Sequence, residues 1–156
     1  MPIPNRALVL VIDGRKMLFF RNHGDESQID LRTEAHDERE DRSNGEIKND
    51  SPAGSVASSS GGGRSTMEES DPHQQEEDRW VKDAAEHLRL RALRNNFDHL
   101  CIIAPPKALG VLRKALHKEV SKRMVCSINK EMSGRPIPDI EHLIVTETKA
   151  SEPADV

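Results

Sequence analysis

The chain has 156 residues, of which 35% are hydrophobic, 32% charged and only 3% aromatic, and its net charge is −4. This length allows one domain with tails, and the apolar run at residues 7–12 is too short for a signal peptide or a membrane span. We therefore expect a cytoplasmic protein without membrane contact. The charge is uneven, because residues 25–79 hold 16 acids and 6 bases whereas residues 82–130 hold 11 bases and 4 acids. A mildly basic fold thus carries an acidic inserted segment, and its basic face could meet nucleic acid.

The first part of the chain predicts an antiparallel meander of three strands. The continuous apolar run at residues 7–12 is typical of a strand buried on both faces. Asp13-Gly14 is a hairpin signal, and residues 15–22 follow it as a second strand. Residues 28–36 alternate apolar and polar side chains, which predicts a half-exposed third strand.

The middle of the chain predicts a loop and then a helix. Residues 37–70 have no period of 2 or 3.6 and are rich in serine, glycine, asparagine and charge, so we expect a long disordered loop. Pro72 suits a first helical position behind a capping Asp71. The helix is expected to end near Arg94, and its apolar stripe predicts that Trp80 is substantially buried.

The last part of the chain predicts two further strands and two helices, which occupy residues 99–104, 107–120, 124–128 and 139–145 in that order. A strand–helix–strand–helix order favours a βαβ unit. The fold class is therefore α/β (α+β), with a mixed five- to six-stranded sheet covered by helices. Residues 1–146 would form this single domain and residues 147–156 a flexible tail.

The two cysteines, Cys101 and Cys126, lie in apolar runs. They are interpreted as small buried hydrophobic residues in a reducing compartment, with a disulfide as the weaker alternative.

Four blocks of the sequence resemble the bacterial host attachment protein family, whose members are often called proteins required for attachment to host cells. The resemblance extends from about Ala7 to Ile144. The blocks are ALVLVIDGRKMLFFRN, GRSTMEESDPHQQEEDRWVKDAAEHL, HLCIIAPPKALGVLRKALHKEV and INKEMSGRPIPDIEHLI.

That family is in turn similar to the middle domain of archaeal and eukaryotic peptide-chain release factors. In those proteins a Gly-Gly-Gln tip precedes a long helix and promotes hydrolysis of peptidyl-tRNA. Here Gly62, Gly63 and Arg64 occupy the tip, and Lys82, Ala85 and Glu86 fall on the equivalent helix. Arginine offers donors and a fixed charge but no acceptor, so Arg64 suits a phosphate better than a hydrolytic water. At this length we also expect no codon-reading domain.

Basic side chains on the second predicted helix and just after it are the other candidate site. A solvated helix face is the favoured explanation of them, and the alternative is contact with an RNA backbone, for which such charges supply sequence-independent affinity. The set comprises Arg113, Lys114, Lys118, Lys122 and Arg123.

The sequence contains no motif that requires catalysis or a metal. His73 and Glu77 are four residues apart on one helical face, but a capped, solvated helix start explains them. Asp13 could pair with a distant acid, although its place in the turn already accounts for it. We therefore predict no cofactor and no metal. The favoured function is a non-catalytic module that binds the ribosome or another structured RNA. The alternatives are a hydrolase acting on peptidyl-tRNA or another ester, and a factor that supports attachment to host cells indirectly.

Overall fold

The structure is a computed structural model, and it describes residues 3–39 and 72–150. Gly62, Gly63, Arg64, Asp71 and most of the expected loop lie outside the described residues. The elements in chain order are β1 (Leu8–Ile12), β2 (Lys16–Asn22), β3 (Leu31–Glu38), α1 (Pro72–Leu93), β4 (Leu100–Ala104), α2 (Pro106–Ala115), α3 (Lys118–Ser121), β5 (Met124–Asn129) and α4 (Ile137–Ala150).

The strands form one mixed five-stranded sheet in the order β3-β2-β1-β4-β5. β1, β2 and β3 are antiparallel neighbours, whereas β4 runs parallel to both β1 and β5. The expected fold class, meander and βαβ half are confirmed. Every residue of β1 and β4 is buried, as continuous apolar runs at the centre of a covered sheet should be.

Helices cover both faces of the sheet. α1, α2 and α3 pack on one face around a core that includes Leu10, Leu88 and Leu112. α4 packs on the opposite face, where Ile140 and Ile144 meet Val9 and Ile103. Burial of both faces gives a small chain two hydrophobic layers from one sheet.

The long helix α1 begins at Pro72 and ends at Leu93, close to its expected bounds. Asn95 has a positive φ of 55°, and the amide of Asn96 donates to the carbonyl of Arg91 at 2.8 Å. Asparagine tolerates this left-handed conformation, which completes a Schellman-type end. Trp80 packs against the core but is only partly buried, so the expectation of substantial burial was too strong.

Other sequence expectations also need correction. The helix expected at residues 107–120 breaks at Leu116, whose ψ is 135°, and His117 then caps the separate helix α3. β3 and β5 are edge strands, with only Leu31 and Ile128 fully buried in them. Helix α4 continues to Ala150, through part of the expected tail.

The expectation of two free thiols is also wrong. Cys101 on β4 and Cys126 on β5 are register partners on neighbouring parallel strands. Their Cα atoms are 4.4 Å apart, and the two residues form a disulfide.

Candidate functional site: a basic groove between two helices

The five basic residues, most of which were expected on one side of the second helix, are divided by the break at Leu116. Arg113 and Lys114 lie on α2, whereas Lys118 begins α3 and Lys122 and Arg123 follow it. The break turns the chain, so the spacing of these residues along the sequence no longer aligns them on one side.

Two of the five cations bind other parts of the protein. Arg123 Nη1 donates to the carbonyl oxygens of Ala92 and Phe97, at 2.7 and 3.2 Å. Arg113 Nη2 donates to Ser127 Oγ at 2.6 Å. Arg123 therefore satisfies carbonyls at the end of α1, where a cation also complements the helix dipole.

Lys118 and Lys122 remain at the surface around α3. Lys122 Nζ lies 3.2 Å from Glu119 Oε2, and its side chain is 64% exposed. The hydrogen bond from Lys122 lowers the pKa of Glu119, with a smaller contribution from Arg123. Part of the positive charge at α3 is therefore neutralised by this carboxylate.

Lys114 instead faces a groove between α1 and α2. Lys82 of α1 and Lys107 of α2 line the same groove, which we call the basic groove and which has a volume of about 580 Å³. Asp78 is the one acid among the described residues that line it, so lysine charge dominates. The full lining is Asp78, Lys82, Pro106, Lys107, Gly110, Val111, Lys114 and Ala115.

The basic groove also contains the first turn of α2. This turn has no acidic residue, and its N-cap, Pro105, makes no side-chain capping bond in the described structure. Pro105 and Pro106 have no N–H, so the free amides of this helix start are those of Lys107 and Ala108, and their partial positive charge favours anions. Lysines and helix start together therefore make a surface suited to phosphate groups.

Both ends of the segment that holds the Gly62–Gly63–Arg64 tip lie near one turn of the sheet. At one end, Arg39 Nε donates to the carbonyl of Gly14 at 2.6 Å. At the other end, α1 brings Glu77 so close to Gly14 that a Cβ there would lie 2.7 Å from Glu77 Cδ. A larger residue in this turn would displace the Glu77 side chain, which is 40% exposed. The β4–α2 connection, where the basic groove begins, is at the same carboxyl edge of the parallel strands.

A pair of carboxyl groups also lies at this edge. Ser133 Oγ is hydrogen-bonded to Asp13 and, at 2.8 Å, to Glu131. Burial raises the pKa of Asp13, but hydrogen bonds from Glu131, Ser133 and the amides of Arg15 and Lys16 outweigh it and lower that pKa. The hydrogen bond with Asp13, together with burial, raises the pKa of Glu131. These opposite shifts make Glu131 the more readily protonated carboxyl of the pair.

The acid partner that the sequence allowed for Asp13 is therefore Glu131. Within the described residues, no group of three or more His, Cys, Asp or Glu side chains is arranged to hold a metal ion. His73 and Glu77 accordingly form no such cluster with other ligands in the described ranges.

A match to a known family identifies this fold as a release-factor-like domain. The chain belongs to the family described as bacterial archaeo-eukaryotic release factor family 12, which it matches over residues 6–144. This match confirms the release-factor resemblance and says nothing about attachment to host cells. No curated protein matches the chain. None of the helices in the described ranges has the length and apolar character needed to cross a bilayer.

Sequence reasoning missed Lys82 and Lys107 as members of the site. They belong to different helices, and nothing in their spacing indicates that α1 and α2 are neighbours. It also missed Glu131 and Ser133, which reach Asp13 only because β1 and β5 end at the same edge of the sheet.

Proposed function

We propose that this protein is a release-factor-like module that binds ribosomal or other structured RNA through the basic groove and carries out no hydrolysis itself. The observation that carries the proposal is the convergence of Lys82, Lys107 and Lys114 on one groove at the start of α2. Family membership supports a partner connected with translation. The chemistry of the groove suits phosphate contacts, which give affinity without reading sequence.

The proposal also gives a role to Gly62, Gly63 and Arg64, whose segment joins the described fold at Arg39 and Pro72. In the proposal the groove docks on the RNA backbone, and Arg64 contacts a phosphate that lies deeper in the same RNA. Arg64 has five donors and a permanent charge, which match a phosphate in a bidentate manner. It has no acceptor with which to orient a water, and this supports binding rather than catalysis.

The test is the salt dependence of binding to ribosomes and to a structured ribosomal RNA fragment. The triple variant Lys82→Gln, Lys107→Gln, Lys114→Gln should weaken binding and reduce the slope of log K against log salt by roughly one unit for each lysine–phosphate interaction removed. The double variant Lys118→Gln, Lys122→Gln tests the sequence-predicted surface on α3. If only the double variant loses RNA affinity, the docking surface is on α3 and not in the basic groove. Binding that neither variant nor salt changes would refute the RNA proposal.

The Asp13–Glu131 pair favours one second candidate, a hydrolase. A carboxylate and a neighbouring carboxylic acid are the groups that general acid–base hydrolysis uses. Peptidyl-tRNA is the substrate to test, because release factors act on it. We expect no turnover by the unmodified protein or by Arg64→Gln, since a tip misplaced by about 1 Å can lose a hundredfold in rate. Turnover that Asp13→Asn abolishes would establish the hydrolase instead.

A further inference from the structure

A second groove lies between α1 and the edge strand β3, away from the lysines. We call it the acidic groove, and its volume is about 200 Å³. This is below the roughly 300–1,000 Å³ of pockets for small molecules, so it has room for about one side chain. The lining consists of Met17, Asp37, Trp80, Asp83, Glu86, His87 and Leu90.

The charge of the acidic groove is opposite to that of the basic groove. Asp37 and Asp83 form no ion pair with any described residue. Glu86 is partly balanced by Arg89, which holds its carboxylate and lowers its pKa. No lysine or arginine of the described chain lines this groove. Two uncompensated carboxylates therefore attract a cation at this position.

The floor of the acidic groove suits the stem of a long cationic side chain. Met17, Trp80 and Leu90 supply apolar surface, on which the methylenes of a lysine or arginine can pack. The indole face of Trp80 can also stabilise a guanidinium through a cation–π contact. The indole Nε1–H is shielded from solvent and has no acceptor in the described structure.

Strand β3 offers a free backbone edge beside the groove. β3 pairs with β2, and no described strand occupies its other side. Seven of its eight residues are exposed. Arg91 of α1 is hydrogen-bonded to Glu34 of β3 at 3.0 Å, and this holds the strand beside the helix. A long open edge of this kind can pair with an added strand.

We propose that the acidic groove and the edge of β3 together form a docking site for a basic, extended peptide segment of a partner protein. The peptide backbone adds a strand to β3, and one arginine or lysine side chain enters the acidic groove against Trp80. Charge complementarity selects the cationic side chain, and backbone pairing gives affinity. The site shares no residue with the basic groove, so the two proposed partners do not compete for the same side chains.

The test uses the full chain and the fluorescence of Trp80, which is its single tryptophan. The probe is an acetylated, amidated hexapeptide of alternating arginine and threonine, titrated at low salt. We expect a saturable change in tryptophan emission. Asp83→Asn should weaken binding by up to about fivefold, the range for one exposed charge pair. Asp98→Asn, which removes an exposed acid outside the groove, should leave the affinity unchanged.

Two control peptides decide between the parts of the proposal. A peptide with glutamate in place of arginine should not bind, and equal binding would refute the charge argument. A peptide with the same arginines but alternate N-methylated amides should bind much more weakly, because it cannot complete a ladder. Equal binding of that peptide would refute strand addition. The absence of any emission change with the arginine peptide would refute the site altogether.

Discussion

The guanidinium of Arg123 lies against the end of α1 and donates to the carbonyl oxygens of Ala92 and Phe97. Its side chain is 18% exposed. Arg123 thus joins the α3–β5 connection to the end of the long helix, although its sequence position made it a candidate RNA contact.

Replacement of this arginine should therefore affect stability. We expect Arg123→Gln to lower the free energy of unfolding by about 1.5–3 kcal/mol, the range for hydrogen bonds to charged groups. Urea denaturation measures the loss, and Lys122→Gln, at an exposed neighbour, should change it by less than about 0.5 kcal/mol. If Arg123→Gln leaves the stability unchanged but weakens RNA binding, Arg123 is an RNA contact and not a structural residue.

The burial of α1 predicts a ranking of two core substitutions. Leu88 is fully buried between helix and sheet, so Leu88→Ala should cost about 2–5 kcal/mol. Trp80 is only partly buried, and Trp80→Ala should cost less than the roughly 3–5 kcal/mol usual for a buried aromatic. Denaturant unfolding of both variants checks the order. A larger loss for Trp80→Ala would mean that the indole is more enclosed than its partial burial indicates.

The Asp13–Glu131 pair should make stability depend on pH in both directions. The pKa of Glu131 is raised above 4.5, so its contribution is present below the unfolded value and is lost as pH rises through the folded value. The pKa of Asp13 is lowered below 3.8, so its contribution is lost as pH falls through that lower value. The melting temperature, measured as a function of pH, should decrease as the pH rises above the pKa of Glu131. Glu131→Gln keeps a hydrogen-bond donor but cannot titrate, so it should remove this decrease. If the variant and the unmodified protein show the same dependence of melting temperature on pH, a proton on Glu131 does not stabilise the fold.

The cysteine pair should be detectable in the unreduced protein. Denaturation with an alkylating reagent should leave Cys101 and Cys126 unmodified, and prior reduction should expose both to it. The double variant Cys101→Ala, Cys126→Ala should lose about 2–4 kcal/mol of stability, typical for removal of a cross-link. Mass spectrometry and denaturant unfolding measure these outcomes. Alkylation of both residues without prior reduction would show that they are free thiols, as the sequence analysis favoured.

The regular core of this fold could be predicted from the sequence because its signals are local. The apolar runs of β1 and β4, the turn at Asp13-Gly14 and the two ends of α1 depend on residues that are close in the chain. The edges were predicted less well. The alternation in β3 indicated a buried face, but β3 is an edge strand and buries only Leu31.

The site could be predicted only in part, because it depends on contacts between distant elements. Lys114 was identified from its helix, whereas Lys82 and Lys107 become relevant only when α1 and α2 are neighbours. The break at Leu116 has no proline or glycine to mark it. His117 creates it by accepting a bond from the amide of Glu119 at 3.0 Å, and histidine is a weak signal for a helix start.

The central position of β1 also has a consequence for the order of folding. Leu8 pairs with Arg21 on one side but with Leu100 on the other, so half of its ladder must wait until most of the chain has been synthesised. Such non-local pairing slows folding. In the meantime a fully apolar strand has one unpaired edge, which is the kind of surface from which nascent chains aggregate. To avoid aggregation during synthesis, β4 must pair with β1 quickly, or a chaperone must cover β1 until it does. A fold of the same size in which neighbouring strands pair locally would depend less on either.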